Sequence, residues 1–191
     1  MLPFTGQWTV IWGGDTKKQN FHHDTKNQRY AIDVNITDEL GKSHKGDGIA
    51  DSEFFAWGKE ILAPAPGIVT DVIDGVRDNP PFSGNEYSSL GNAVVIMHNK
   101  TEYSVLAHFM IHSIKVKVGD TIALGQVLGL CGNSGNSTEP HLHYHMQNTP
   151  WMQDATGIKM YFTSLRVRHK TVDVKTEREY SPIRDDRVSN K

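Results

Sequence analysis

The sequence predicts an all-β domain, mainly antiparallel, with few or no helices. Three observations carry that prediction. Apolar and β-branched residues come in short runs, several alternating with polar residues at the two-residue period of a strand. Glycine, proline, asparagine and aspartate punctuate the gaps between those runs. A helical period is absent apart from a possible turn near Ser52 to Trp57. The chain has 191 residues, enough for one domain over 1–191 with a proper core.

Taken in order, Gln7 to Trp12 reads as a short strand closed by Gly13-Gly14-Asp15. A polar segment follows and ends in Asn20-Phe21-His22-His23-Asp24, whose histidines alone would be taken for solvated loop residues. Gln28 to Val34 reads as the next strand, with Tyr30, Ile32 and Val34 on one face and Ala31 and Asp33 on the other. A carboxylate so flanked by apolar residues needs a partner, either Arg29 or a lysine on the plain reading, or a functional one. Asp38 to Asp51 is a charged surface loop in which His44 is expected to face water. Pro64 and Pro66 impose extended geometry before a strand over Ile68 to Ile73. Asp74 to Gly91 is a long loop, of the kind that serves a site or moves.

Gly91 to His98 is a strong strand that pairs across Asn99-Lys100 with Glu102 to His108. Alternation in that second strand groups Tyr103, Val105 and Ala107 on one face and Ser104, Leu106 and His108 on the other. Ile114 to Val118 alternates again with Lys115 and Lys117 outward, and Thr121 to Leu130 carries a turn at Gly125-Gln126. Tyr161 to Arg168 and Thr171 to Val174 read as further strands, and Pro182 to Lys191 as a polar tail without periodicity.

Composition narrows the function classes. A formal charge of −2 argues against an electrostatic nucleic-acid binder. The single cysteine, Cys131, excludes an internal disulfide and sits in an apolar run, as a buried inert thiol would. No stretch approaches the roughly 18 apolar residues of a membrane-spanning helix, so no integral membrane segment is expected. The opening MLPFTGQWTV has no secretory character, which implies a cytoplasmic protein or one whose leader has been removed.

Ten histidines are many for this length, and the densest row is His141-Leu142-His143-Tyr144-His145. Just before it lies the turn-rich Asn133-Ser134-Gly135-Asn136-Ser137. In a strand, His141, His143 and His145 share one face, and two neighbouring imidazoles suit Zn²⁺ or another borderline metal. Taken alone, such a row is more often a polar sheet face.

The wider pattern decides between these. Ala63 to Val72 and Val116 to Gly129 resemble the paired halves of the biotinyl/lipoyl-type hammerhead, but the exposed hairpin lysine a carrier needs, usually between methionines, is missing. A cupin also sets His-x-His on strands, yet expects a glutamate soon afterwards, and Tyr144, His145, Met146 and Gln147 follow instead. The ordered set Gly91-Asn92-x-Val94-x-Ile96-x-His98, Ala107-His108, Val116 to Asp120, Gly125 to Gly129 and Gly132 to His143 is similar to the M23 family of zinc metallopeptidases, the lysostaphin-type or LytM-type endopeptidases. The similarity runs from about Gly13 to about Val188. It departs from the family at the first half-site, usually His-x-x-x-Asp, where His22 and Asp33 are separated by ten residues. This marks a divergent branch and leaves His22 against His23 open, with His22 favoured by the Asn-aromatic-His pattern and by Phe21 as a core anchor.

The resemblance implies a two-sheet or barrel-like duplicated motif with a substrate groove, and one Zn²⁺ held by His22, Asp33 and His143. Three protein ligands leave a coordination position open, as catalysis requires, and make water acidic enough to attack near neutral pH. It implies His141 as the base and His108 as stabiliser of the tetrahedral intermediate. His145, third in the row, reads as a supporting residue or as part of a polar face rather than as a ligand, and His98 and His112 read as structural. The expected activity is hydrolysis of peptide bonds, in cross-links or stem peptides of bacterial peptidoglycan, in a secreted or cell-envelope setting. The competing reading is a metal-bearing but inactive binding module.

Overall fold

The computed structural model describes residues 1–170 and 173–191. Its strands are β1 (Trp8–Trp12), β2 (Ile32–Asn35), β3 (Glu60–Leu62), β4 (Gly67–Ile73), β5 (Asn92–Asn99), β6 (Glu102–Phe109), β7 (Thr121–Ile122), β8 (Val127–Leu130), β9 (Leu142–Gln147), β10 (Gly157–Ile158), β11 (Leu165–His169), β12 (Lys175–Glu177) and β13 (Asp186–Asn190). Among the described residues the only helical turns are short 3-10 pieces, including Phe21–Asp24 and Asp51–Glu53. The all-β prediction holds.

One antiparallel sheet runs β12-β11-β13-β1-β2-β9-β6-β5-β4-β7, with β10 added on β9, and β3 pairs with β8 as a second small sheet. Strands β2, β9 and β6 lie side by side at its centre. Register sets Ile32 against Tyr144, Asp33 against His143 and Val34 against Leu142. It then sets Leu106 against Tyr144 and Ala107 against His143. Directly opposed residues share a face. Ile32, Val34, Leu106, Leu142 and Tyr144 therefore join Phe4, Trp8 and Val188 in the main core, while Asp33, Ala107 and His143 gather on the other face. Val95, Tyr103 and Val105 form a smaller apolar cluster.

Several predicted elements are redrawn. The supposed polar tail contains β13, which lies between β1 and β11 with Asp186 and Val188 fully buried. Its alternation, Asp186-Arg187-Val188-Ser189-Asn190, offers one apolar residue, and the burial of Asp186 is offset by hydrogen bonds from Tyr180 Oη and the Ile183 amide rather than by apolarity. Ile114 to Val118 is extended but not laddered: Val116 turns inward and both lysines outward, as alternation requires. The second strand starts at Ile32 rather than Gln28, because Gln28 to Tyr30 are taken up by turns. The strand near Tyr161 starts at Leu165. Of the predicted strand Thr171 to Val174, Thr171 and Val172 lie outside the described residues, and the strand found nearby is β12. His44 is half-buried against Phe54, ring centroids 5.0 Å apart, rather than in water.

Candidate metal centre

The centre forms where β2 and β9 meet the 3-10 turn Phe21–Asp24. Asp33 and His143 face each other by register, and His143 Nδ1 lies 2.8 Å from Asp33 Oδ1. His22 reaches the other carboxylate oxygen, Nε2 to Oδ2 2.8 Å. One donor atom from each of His22, Asp33 and His143 falls within 4.8 Å of the others. Asp33 and His143 are buried and His22 is half-buried, so the group opens to one side only. Two imidazoles and a carboxylate are a donor set that suits a borderline divalent ion. These three residues can hold a metal.

Asn20 explains how His22 arrives. It is fully buried. Its Oδ1 accepts from the His22 amide and caps the turn, while its Nδ2 donates to the carbonyls of Gly14, Arg29 and Ala31. This one side chain ties together the ends of the ten-residue segment between His22 and Asp33, a role that the Asn-aromatic-His pattern marks by position but does not explain. His23 points elsewhere, Nδ1 3.0 Å from Asp24. Phe21 is not a core anchor: it is 72% exposed and stands beside Trp12, ring centroids 6.1 Å apart.

Asp33, His141 and His143 appear where alternation puts them, but His108 does not. Asn92 pairs with Phe109 and Ala93 with Ala107, so His108 is the extra residue of a β-bulge, with φ of 65°. Alternation would have turned it with Leu106 into the core. The bulge turns it instead toward the site, its ring centroid 4.7 Å from that of His141 and 5.9 Å from that of His143. A left-handed backbone on a non-glycine residue is strained, and such strain concentrates at functional positions. The bulge is held by Leu90, whose carbonyl accepts from the His108 amide, and by Ser134, whose carbonyl accepts from His108 Nδ1 at 2.7 Å. Gly135, beside Ser134, has φ of 79°, and a Cβ there would stand 2.6 Å from Gly91 Cα. The turn must be glycine to press so close.

Hydrogen bonds fix the free nitrogens. Backbone carbonyls only accept, so the protons lie on His108 Nδ1 (to Ser134) and on His141 Nδ1, which donates to the Glu139 carbonyl at 2.9 Å. Both rings present Nε2 to the site, and His141 Nε2 is 3.9 Å from Asp33 Oδ2. Burial opposes the charged forms of Asp33, His22, His108, His143 and His145. At Asp33 it is outweighed by His22 and His143, which hold the carboxyl well below the usual carboxylate range. At His22 the Asp33 carboxylate wins in turn, and the imidazole is raised above its ordinary value. At His108 and His143 burial prevails and lowers both, helped by neighbouring imidazoles. His145, 1% exposed, is pushed down to about 3 by burial and then by His143.

A groove of about 380 Å³ lies over the centre. Ile11, Trp12 and Phe21 line one side and Asn136 to Glu139 the other, with His22, Asp33, His108 and His141 between. The long loop Asp74 to Gly91 braces the second wall, through Phe82 N to Thr138 O at 2.6 Å and Asn85 N to Gly135 O at 2.9 Å. The loop Asp38 to Asp51 reaches the same wall through Ser43 Oγ, which donates to Glu139 at 2.9 Å. Remote from the groove, His98 bridges Pro66 O and Ser104 Oγ, and Cys131 is buried with its thiol raised by desolvation. No helix among the described residues is long and apolar enough to cross a membrane.

Comparison with known proteins gives a consistent picture. The sequence pattern of Peptidase family M23 matches residues 42–155. An uncharacterized metalloprotease of Buchnera aphidicola is 35% identical over 89 residues, 47% of this chain and 22% of that protein. The peptidoglycan DD-endopeptidase ShyA of Vibrio cholerae is 45% identical over 56 residues, 29% of this chain and 13% of that protein. The chain thus spans less than a quarter of the length of these relatives. Among solved structures, a mutant of the catalytic domain of the prophage-encoded M23 protein EnpA from Enterococcus faecalis superposes with a TM-score of 0.51 at 20% identity, covering 83% of this chain and 93% of that one. The match is one of fold.

Proposed function

Because the chain belongs to peptidase family M23, we propose that residues 1–191 act as one zinc-dependent endopeptidase domain that cuts peptide bonds of bacterial peptidoglycan, in its cross-links or stem peptides. The observation that carries this reading is the convergence of His22, Asp33 and His143, beside a groove into which His22, Asp33 and the two further imidazoles of His108 and His141 open.

In this reading His22, Asp33 and His143 hold one zinc ion. Bound there, zinc would acidify water and polarise the scissile carbonyl. The protein's own groups handle the protons. His141 Nε2 is bare because its Nδ1 proton is committed to the Glu139 carbonyl, so it can take the proton of the attacking water. His108 is buried, neutral and likewise bare at Nε2. Taking one proton of the attacking water on that nitrogen, His108 would turn Nε2–H toward the developing oxyanion as a hydrogen-bond donor, while the water's other proton goes to His141. Hydrolysis breaks the carbon–nitrogen bond, water's oxygen joins the acyl carbon, and the proton gathered by His141 passes to the departing amine. The groove, about 380 Å³ and lined by Trp12 and Thr138 among others, would receive the peptide.

Peptidoglycan as substrate, and a secreted or cell-envelope setting, rest on the family and on relatives named as peptidoglycan endopeptidases. The test is digestion of purified cell-wall preparations, with mass spectrometry of the fragments beside elemental analysis of the protein. New peptide termini together with about one zinc per chain are expected. Zinc without any cleaved bond would turn the reading into that of an inactive binding module.

A further inference from the structure

Beyond His143, β9 carries two buried polar side chains that the chemistry above does not use, His145 and Gln147. Residues two apart on a strand share a face, and here His143, His145 and Gln147 form one continuous chain of hydrogen bonds. His143 Nε2 is 2.9 Å from His145 Nδ1, and His145 Nε2 is 3.0 Å from Gln147 Oε1. All three are at most 2% exposed. We infer that His145 and Gln147 are positioning residues: they fix which nitrogen of His143 is offered to a metal ion, an inference that rests on the metal-site reading above.

The direction of the chain follows from its far end. Gln147 Nε2 lies 2.9 Å from the carbonyl of Thr149 and 3.3 Å from that of Pro150. Carbonyl oxygens only accept, so that end of the amide is the NH₂ and Oε1 must face His145. Oε1 in turn only accepts, so His145 Nε2 carries a proton. His145 is buried with no acidic partner, so it carries no second one, and its Nδ1 is a lone pair. That lone pair can only accept from His143, which places a proton on His143 Nε2. His143 Nδ1 is then the bare nitrogen, and it is the atom aimed at Asp33 Oδ1.

The consequence is preorganisation. Two backbone carbonyls after β9 dictate, through an amide and an imidazole, that His143 presents Nδ1 beside a carboxylate, two lone pairs converging where a cation satisfies both. Without the relay, His143 could carry its proton on Nδ1 and satisfy Asp33 by itself, so a metal would first have to displace that proton. Partners that orient ligating histidines are worth about 10–100-fold in metal affinity.

Three proteins separate the possibilities: wild type, His145→Leu and His145→Asn. Leucine fills space but accepts nothing. The Oδ1 of asparagine can stand where the Nδ1 of histidine was and accept the same bond. Zinc affinity is measured by chelator competition, with circular dichroism to report the fold. His145→Leu should weaken zinc binding roughly 10–100-fold, and His145→Asn should restore most of it. The tautomers are read directly on zinc-loaded wild type by long-range ¹H–¹⁵N correlation of its histidine rings, which needs no variant to fold. His143 and His145 should both be protonated at Nε2. A His145 protonated at Nδ1, or zinc held as tightly by His145→Leu as by wild type, overturns the relay alone. Wild type that takes up no zinc overturns the metallopeptidase reading, and the relay falls with it.

Discussion

At the scale of single residues, the site divides its histidines by what each second nitrogen touches. Asp33 stands between His22 and His143, one imidazole nitrogen 2.8 Å from each of its oxygens, whereas His108 and His141 commit their Nδ1 protons to backbone carbonyls. The first pair is suited to a metal and the second to protons. His143→Ala is therefore expected to lose zinc and activity together. His141→Ala and His108→Ala should keep zinc and fold while losing roughly 10²–10⁴-fold in rate. The double variant should cost less than the product of the two, since groups that act as a unit are not additive. Zinc stoichiometry measured beside turnover checks all of these; an His141→Ala protein stripped of metal would make His141 a ligand and defeat the mechanism. His22 and His23 offer a sharper contrast, being neighbours with different partners. His22→Ala should lose the metal and His23→Ala keep it, because the His23 ring is turned to Asp24.

At the scale of elements, strand pairing sets Asp33 against His143, a 3-10 turn adds His22, and loops support the groove wall. The loops Asp74 to Gly91 and Asp38 to Asp51 do not touch the three metal-site residues by hydrogen bonds. They support Gly135 to Glu139, the wall opposite Trp12 and Phe21. Shortening either loop should change which peptides are cut while leaving zinc content unaltered; product profiles on a panel of wall peptides, unchanged after shortening, would refute this. β13 is the element whose role was hidden. It lies inside the sheet, and Arg184, just before it, stacks over Trp12 at 4.3 Å from the ring centroid, so the end of the chain steadies the groove wall. Val188 is fully buried in the main core. Val188→Ala should cost about 1.5–3 kcal/mol in denaturant unfolding, an effect a solvated tail would not show.

For the molecule as a whole, metal binding and acid are linked. Ligands bind metal deprotonated. His22 is raised by Asp33, so of the three proposed ligands it is the first to take up a proton as pH falls, while the Asp33 carboxyl stays ionised and His143, lowered by burial, resists longer. Zinc affinity should be flat well above the raised His22 value. It should then fall by about one decade per pH unit below that value, and more steeply once His143 joins. Chelator competition from about pH 8 to about pH 5 measures the slope. A flat profile across that range would remove His22 from the ligand set. His108, held well below its ordinary value, is not expected to set the acid limb.

Sequence alone determined the fold class, because alternation and turn residues are local properties and a strand's period is written in consecutive positions. It also put His143 and His145 of β9, and His141 just before it, on one face, since they lie two apart along an extended segment. Asp33 could be singled out as a carboxylate in need of a partner, but its partners are 11 and 110 positions away along the chain, and only the pairing of β2 with β9 names His143. The tertiary structure alone decided three things. The bulge at His108 reversed a side chain that alternation had assigned to the core, because one unpaired residue shifts the register of everything after it. Asn20 brought His22 to Asp33 across ten intervening residues, through three carbonyls that no local pattern connects. β13 became an interior strand because its buried Asp186 is satisfied by Tyr180 and Ile183, and a polar residue whose partner is supplied by the fold looks, in the sequence, like one that faces water.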